Sequence, residues 1–403
     1  MIDHFSSQTT DAVASDNANE SEALTIAIIG GGLTGLFTAT LLERVVLELE
    51  RAVGNKQNKD ATIQLTIFEK SRSVGRLATR YRTDHITKKN WQWSFGAQFF
   101  TAKTSNFKQF MAPWLKTNRL QPWCAPVVQL TPKSDTQALP SITQKEQWGT
   151  TQARYISTPK MTSWGREIAD QLQHTTIQFK TRVAPLAHYL QSPFNKKTEL
   201  FDEEGHSLGW FDWVICTAPN VQAAELMVDS GFAEQDRILT PKMLACYTLM
   251  LGWDDAQQLP DTLNNQVQPP WDVAYMQDSI LDRIFIEHHK PAHDELLPSV
   301  TIHARNDWSE QYVDEDMDAI KAQLLTAAKQ ALDWNDKTAP SQTDCHRWRY
   351  ASTVIAEDQD IVGTLSDIEK QWIVTGDWCG RGNIESCYQS AQDVVDIIKG
   401  TIR

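Results

Sequence analysis

The chain has 403 residues, and at about 100–200 residues per domain that length predicts two or three domains around a sizeable core. Apolar residues make up 41% and charged residues 22%, so the main body folds and any disorder is local. Lys and Arg number 38 against 51 Asp and Glu, a net charge of −13. No basic run is longer than Lys88-Lys89 or Lys196-Lys197, which argues against a nucleic-acid partner. The six cysteines make no CxxC pair and no zinc-spaced Cys/His cluster, so neither a disulfide framework nor a metal site is expected, as suits a reducing cytoplasm.

Residues 1–23 are polar and acidic without a basic start, which predicts a disordered tail rather than a secretory signal. Leu24 to Leu42 then runs for 19 positions without a charge, long enough for a membrane span to be weighed. Its four glycines, Gly30, Gly31, Gly32 and Gly35, argue against that, because each weakens a helix by up to about 1 kcal/mol. The stretch divides instead into a strand, Leu24–Ile29, a turn, and a helix over about 34–49 with Leu41, Leu42, Val45, Val46 and Leu49 at helical spacing. A second strand is expected at Ile63–Glu69, after a polar insertion over 54–60. Strand, helix and strand in this order form a βαβ unit and imply a parallel α/β sheet. Farther along, 211–217 and 371–375 read as short buried strands, each closed by a turn signal. The last helix spans about 384–399, with Asn383 as N-cap and Gly400 just past its end.

Gly30-Gly31-Gly32-Leu33-Thr34-Gly35 fits G-x-G-x-x-G and lies between a strand and a helix, the context that gives this weak pattern meaning. The first glycine allows a tight turn and the second lets a pyrophosphate reach the backbone. The third lets helix and strand pack closely, with the helix N-terminus toward the phosphates. An acid closing the second strand then binds a ribose hydroxyl. Glu69 is that acid, although it lies 34 residues past Gly35 rather than the usual ~20, so the 54–60 insertion has to loop out. No G-x-S-x-G elbow is present, which leaves a hydrolase without support.

Glu69-Lys70-Ser71, with Val74-Gly75-Arg76-Leu77-Ala78-Thr79-Arg80 after it, resembles the second dinucleotide signature of FAD-dependent amine oxidases, especially their bacterial renalase-like branch. The resemblance continues through residues 95–101, 155–161, 213–219, 308–309 and 346–351, and ends at Thr375-Gly376-Asp377-Trp378-Cys379 and Ile384-Glu385. It implies FAD bound non-covalently, with Gly30, Gly32, Leu33, Thr34 and Gly35 on the pyrophosphate, Glu69 and Lys70 near the adenosine ribose, Arg76 on a phosphate and Val183 at the adenine. It places Gln98 and Phe99 beside the flavin ring and Gly376 and Asp377 at the ribityl chain. Ile384 and Glu385 present backbone at the pyrimidine edge, where an Asn383-capped helix start also favours negative charge. Two departures stand out: one glycine instead of two before Arg76, and Ser94-Phe95 where the family often has an acid before Gly-Ala-Gln. Among fifteen tryptophans a core role is the default; Trp348, with Tyr350, is assigned to the flavin cavity by its motif. The histidines, His288, His289 and His303 included, are expected to pack or lie at the surface.

The expected fold class is α/β: an amine-oxidase-type, Rossmann-like FAD domain and a second, mixed-sheet substrate domain. The FAD domain is expected from 24–104, 155–222 and 345–403, and the substrate domain from 105–154 and 223–344. The expected activity is hydride transfer from an isomeric dihydronicotinamide dinucleotide to FAD and on to O2, with a small-molecule substrate, no nucleic acid and no membrane. The alternatives are a flavin amine oxidase and a non-catalytic FAD- or NAD-binding redox sensor.

Overall fold

The computed structural model describes residues 23–52, 63–72, 77–189, 196–264, 269–354 and 360–401. The expected tail (but for Ala23), the 54–60 insertion and Arg76 lie outside the described residues. Leu24–Ile29 and Ile63–Glu69 are strands with the expected bounds. They pair in parallel, Ile26 opposite Leu65 and Ile28 opposite Ile67, and the helix between them runs Leu33–Ala52. Around this unit a six-stranded sheet is ordered Thr175–Phe179, Ile63–Glu69, Leu24–Ile29, Trp213–Cys216, Trp372–Val374, Leu365–Asp367, all parallel except the last pair. Ile26, Ala27 and Ile28 are fully enclosed, as an unbroken apolar run requires of a strand covered on both faces. The expected 211–217 strand is shorter because Asp212 turns its carboxylate to Thr25, accepting from both the Thr25 N–H and hydroxyl at 2.8 and 2.9 Å. Phe211 instead ends a separate hairpin.

The C-terminal helix Ile384–Thr401 lies against Leu33–Ala52. Phe37 and Tyr388 meet there edge to face with ring centroids 6.3 Å apart, within a core that includes Phe107, Phe110 and Trp164. Aromatic pairs of this geometry add to the burial term.

A second, seven-stranded sheet is ordered Gln342–Val354, Lys242–Gly252, Ser299–Ala304, Leu281–Ile286, Val273–Met276, Pro126–Thr131, Ser141–Gln147. It is mixed, since Val273–Met276 and Pro126–Thr131 run parallel and the other pairs antiparallel. One correction concerns its edge: residues 345–354, expected in the FAD domain, belong to this sheet, paired along Lys242–Gly252. The Trp348 motif drew them toward the flavin in the sequence; they reach the same cavity from the opposite wall. The strand Lys242–Gly252 shows how that wall is made. Tyr247, Leu249 and Leu251 point to a core closed by Ile320, Leu324 and Ala328 of the helix Met317–Leu332. The alternate residues Cys246 and Thr248 face the other way and line the cavity. Among the described residues no helix is long and apolar enough to cross a membrane.

Candidate active site

Three glycines build the strand-to-helix turn, each for its own reason. Gly30 has φ +117°, and a Cβ there would lie 2.7 Å from the Thr217 hydroxyl. At Gly35 a Cβ would fall 2.1 Å from the Gly30 carbonyl oxygen, so this glycine lets helix and strand touch. Gly32 differs, because nothing lies within 4 Å of where its Cβ would be; the backbone there is bare toward a cavity that Gly30, Gly32, Leu33 and Thr34 line. The Leu36 N–H donates to the Gly32 carbonyl at 3.0 Å and opens the helix, whose first N–H groups have no carbonyl within it to pair with. Glu69 seals the turn: its carboxylate accepts from the Gly31 and Ser71 N–H groups, both at 2.7 Å, and its side chain borders the cavity. A dinucleotide pyrophosphate fits this arrangement by the test of geometry, with backbone donors, an open approach and a positive dipole end at one point.

The cavity has a volume of about 1290 Å³, above the ~300–1,000 Å³ of a site for one small ligand. It therefore has room for a dinucleotide and a second molecule. From the turn it extends along Lys70, Val183, Asp377, Ile384 and Phe99 to Trp348 and Tyr350 of the second sheet. Lys70 is held at the rim by a 2.9 Å hydrogen bond from its Nζ to Gln222.

Four of the expected residues stand behind the wall rather than on it. Gly35 sits in the first turn of Leu33–Ala52 on the side pressed against the strand, and Gly376 packs against the Trp378 ring, which a Cβ would strike at 2.6 Å. The Glu385 side chain turns away and accepts from the Lys103 and Thr104 N–H groups and the Thr104 hydroxyl at 2.8, 2.7 and 2.6 Å. Burial works to raise its pKa, but these bonds outweigh it and hold the carboxyl below its usual range. The start of its helix is capped as expected, Asn383 Oδ1 accepting from the Ser386 N–H at 2.9 Å.

Gln98 is the fourth, and a correction to its expected place beside the flavin ring. Its neighbours Ala97 and Phe99 line the cavity, while its own amide bonds back to the Ser94 carbonyl and accepts from Lys290 Nζ at 2.7 Å. Lys290 and Glu287, 2% and 0% exposed, form a 2.8 Å ion pair. Burial pulls the lysine pKa below its ordinary value, against the opposing pull of Glu287. The other Glu287 oxygen accepts from the Ser94 N–H at 3.0 Å and the Thr301 hydroxyl at 2.5 Å. The acid missing before Gly96-Ala97-Gln98 is thus replaced from another strand end, 193 residues on. No local signal in the sequence announces that.

The second sheet supplies a row of side chains that the sequence reading missed. Arg283 is opposite His303, His303 opposite Thr248, and Thr248 opposite His346. Cross-strand partners share a face, and all four line the cavity. Thr248 and Trp348 both donate to the Phe95 carbonyl, at 3.1 and 2.8 Å. Trp348 stacks on Phe95 with centroids 5.4 Å apart, and His346 meets Trp348 edge to face at 4.5 Å. Burial holds His346 neutral, its pKa pushed down to about 4 with help from Arg80, and pushes His303 to about 3 with help from Arg283 and Lys290. The signal available was the alternation of Thr301 and His303 and of His346, Trp348 and Tyr350, but it becomes a row only once strand register is known.

Cys246 and Cys387 also line the cavity, and all six cysteines are free thiols. Burial pushes the Cys246 thiol up to about 12, which leaves it a poor nucleophile. Asp202, Glu204 and His206 lie close enough to share a cation at the hairpin turn, but Asp202 is engaged by the Glu204 and His206 N–H groups at 3.0 and 2.8 Å.

Residues 28–114 match the sequence family described as an NAD(P)-binding Rossmann-like domain. The chain superposes on a protein assigned as a protoporphyrinogen oxidase from Exiguobacterium sp. 255-15, with TM-score 0.65 and 13% identity over 94% of this chain and 99% of that one. It likewise superposes on a putrescine oxidase (TM-score 0.62, 9% identity, 94% and 100% covered). A cyclohexylamine oxidase from Brevibacterium oxydans IH-35A gives TM-score 0.63 at 9% identity, again over 94% and 100%. At such identities the likeness is one of fold, a Rossmann-like domain joined to a mixed-sheet domain as in these oxidases.

Proposed function

We propose that this chain is an FAD-dependent oxidoreductase that holds non-covalent FAD along the six-stranded sheet and a small-molecule substrate against the seven-stranded one. The observation that carries this reading is one cavity running unbroken from the Gly30–Gly35 turn to Trp348 and Tyr350. When bound, FAD supplies the redox chemistry, accepting a hydride from the substrate and delivering the electrons to O2. The chain's residues bind, orient and exclude water. The first-turn N–H groups of Leu33–Ala52 bind the pyrophosphate. Glu69 keeps lone pairs for a ribose hydroxyl while it holds Gly31 and Ser71. Asp377 accepts a ribityl hydroxyl, Val183 covers the adenine, and the capped start of Ile384–Thr401 stabilises negative charge at the pyrimidine edge. The Lys290–Gln98–Glu287 knot fixes the wall at 95–99 from behind. Because Cys387 and Cys246 are packed thiols, acid precipitation of the loaded protein should release the yellow chromophore to the supernatant.

The finer reading is renalase-like, with an isomeric dihydronicotinamide dinucleotide as the hydride donor. It is supported by the planar Phe95–Trp348 stack and by the engagement of Lys290 behind the wall. A dihydronicotinamide needs stacking and alignment, not a base that strips a proton from an ammonium group. The putrescine and cyclohexylamine oxidases of the same fold favour amine oxidation as the second reading. Anaerobic stopped-flow bleaching of the flavin separates the two. Fast reduction by a dihydronicotinamide isomer and slow reduction by primary amines or polyamines is expected; the reverse order overturns the finer reading, and no bleaching by either favours a redox sensor.

A further inference from the structure

Arg283 stands at one end of the polar row on the second sheet, its guanidinium carbon 4.9 Å from the centre of the Tyr275 ring beneath it. Its one ionic partner among the described residues is Asp282, which meets it at Nε, 3.1 Å away. No hydrogen bond reaches its two terminal amino groups from those residues, although a guanidinium is built to take a carboxylate or phosphate on that fork. Its cross-strand neighbour is His303, whose Nε2 is enclosed without any hydrogen-bond partner. Enclosed polar atoms are nearly always satisfied, and an exception in a cavity wall calls for an explanation. Asp282 is the sole carboxylate lining the sheet side of the cavity among the described residues, against Arg283, Arg347 and Arg349. Arg347 lies opposite Tyr247, on the face turned to the second core, where it donates to the Val313 and Glu315 carbonyls, and Arg349 pairs with Asp314; Arg283, on the face it shares with His303, has its fork open to the cavity.

We infer that Arg283 and His303 form an anion-binding subsite that takes a phosphate or carboxylate group of the substrate. This rests on the reading that the second-sheet half of the cavity holds the substrate. An ammonium group there would sit beside a guanidinium with one shared carboxylate between them, while an anion gains the open fork. Specificity then comes from the sheet and redox chemistry from the other half of the cavity.

The test measures equilibrium binding to the FAD-loaded protein by the difference spectrum of the bound flavin, without turnover. Two probe pairs each differ by one anionic group: benzoate against benzamide, and nicotinamide mononucleotide against nicotinamide riboside. The anionic member of each pair should bind at least about tenfold tighter, as expected of a charged hydrogen-bonded fork. Arg283→Gln should erase that preference while sparing the neutral probe, and Arg283→Lys should restore part of it. Arg305→Gln removes the same charge from an exposed residue paired with Asp307, and should change nothing. A benzoate preference without a mononucleotide preference keeps the subsite and sinks the dihydronicotinamide reading. Absence of anion preference in both pairs, no binding by any probe, or a preference that survives in folded, FAD-loaded Arg283→Gln overturns the inference.

Discussion

The two halves of the cavity are made in different ways. The half on the parallel sheet is a backbone structure: one turn, two helix starts and a carboxylate that caps a neighbouring N–H. Its parts at the turn lie within six consecutive residues, Gly30 to Gly35, and one acid. The half on the mixed sheet is a side-chain structure in which Thr248, Arg283, His303 and His346 come from four strands and meet only through register. A phosphate needs donors in a fixed ring, which backbone supplies cheaply and locally. A substrate needs shape and charge, which takes side chains from several places.

The sharpest way to break this contrast is within the turn. Gly35→Val would drive a Cβ to 2.1 Å from a backbone oxygen that cannot swing aside, so a loss above the ~1–3 kcal/mol usual for overpacking is expected, read as a collapsed or absent thermal transition. Gly32→Val adds its methyl groups to open space. It should keep the apo protein's transition within a few degrees and lose FAD by about tenfold or more, measured by flavin absorbance after dialysis. Equal damage from both substitutions would mean that Gly32 is structural too.

Glu69→Ala comes next. It removes a charged acceptor from two N–H groups, so it should cost the apo protein about 1.5–3 kcal/mol in denaturant unfolding and weaken FAD retention. Glu69→Gln keeps one acceptor but turns an NH2 toward the other N–H, so it should recover only part of the stability and none of the FAD. Weakened FAD with unchanged stability would leave the carboxylate a ligand contact alone.

On the other half, Trp348→Ala removes the stack on Phe95 and a hydrogen bond to its carbonyl. Anaerobic flavin reduction should slow by about tenfold or more through lost alignment, with FAD affinity changed by less than about threefold. A larger effect on FAD affinity than on reduction would blur the division between the halves.

The smallest effect is in pH. His303 and His346 are held neutral, at about 3 and about 4 against an ordinary 6.5. The unfolded chain therefore takes up protons that the folded one refuses, and stability falls as pH drops from about 6.5 toward 4. A His303→Gln, His346→Gln double variant should lose less thermal stability between pH 7 and pH 5 than the parent. An equal loss would place the acid sensitivity elsewhere, with the half-buried His288, also at about 4, as the next group to replace.

What the sequence determined by itself was whatever is written in consecutive residues. The βαβ unit was legible in Leu24–Ile29 and Ile63–Glu69 because a doubly covered parallel strand shows as an unbroken apolar run. The turn was legible because each glycine answers a local steric demand. The Asn383 cap was legible because a helix start is satisfied by its own neighbours. The tertiary structure alone decided that 345–354 joins the mixed sheet, that Gln98 turns inward, and that Glu287 replaces an acid absent near Ser94. It also decided that His303, expected to pack or lie at the surface, stands in a cavity wall next to Arg283. Each of these depends on a pairing across tens to hundreds of residues. A strand's two faces alternate in the sequence, but which face meets solvent, core or cavity is fixed only by the strands beside it.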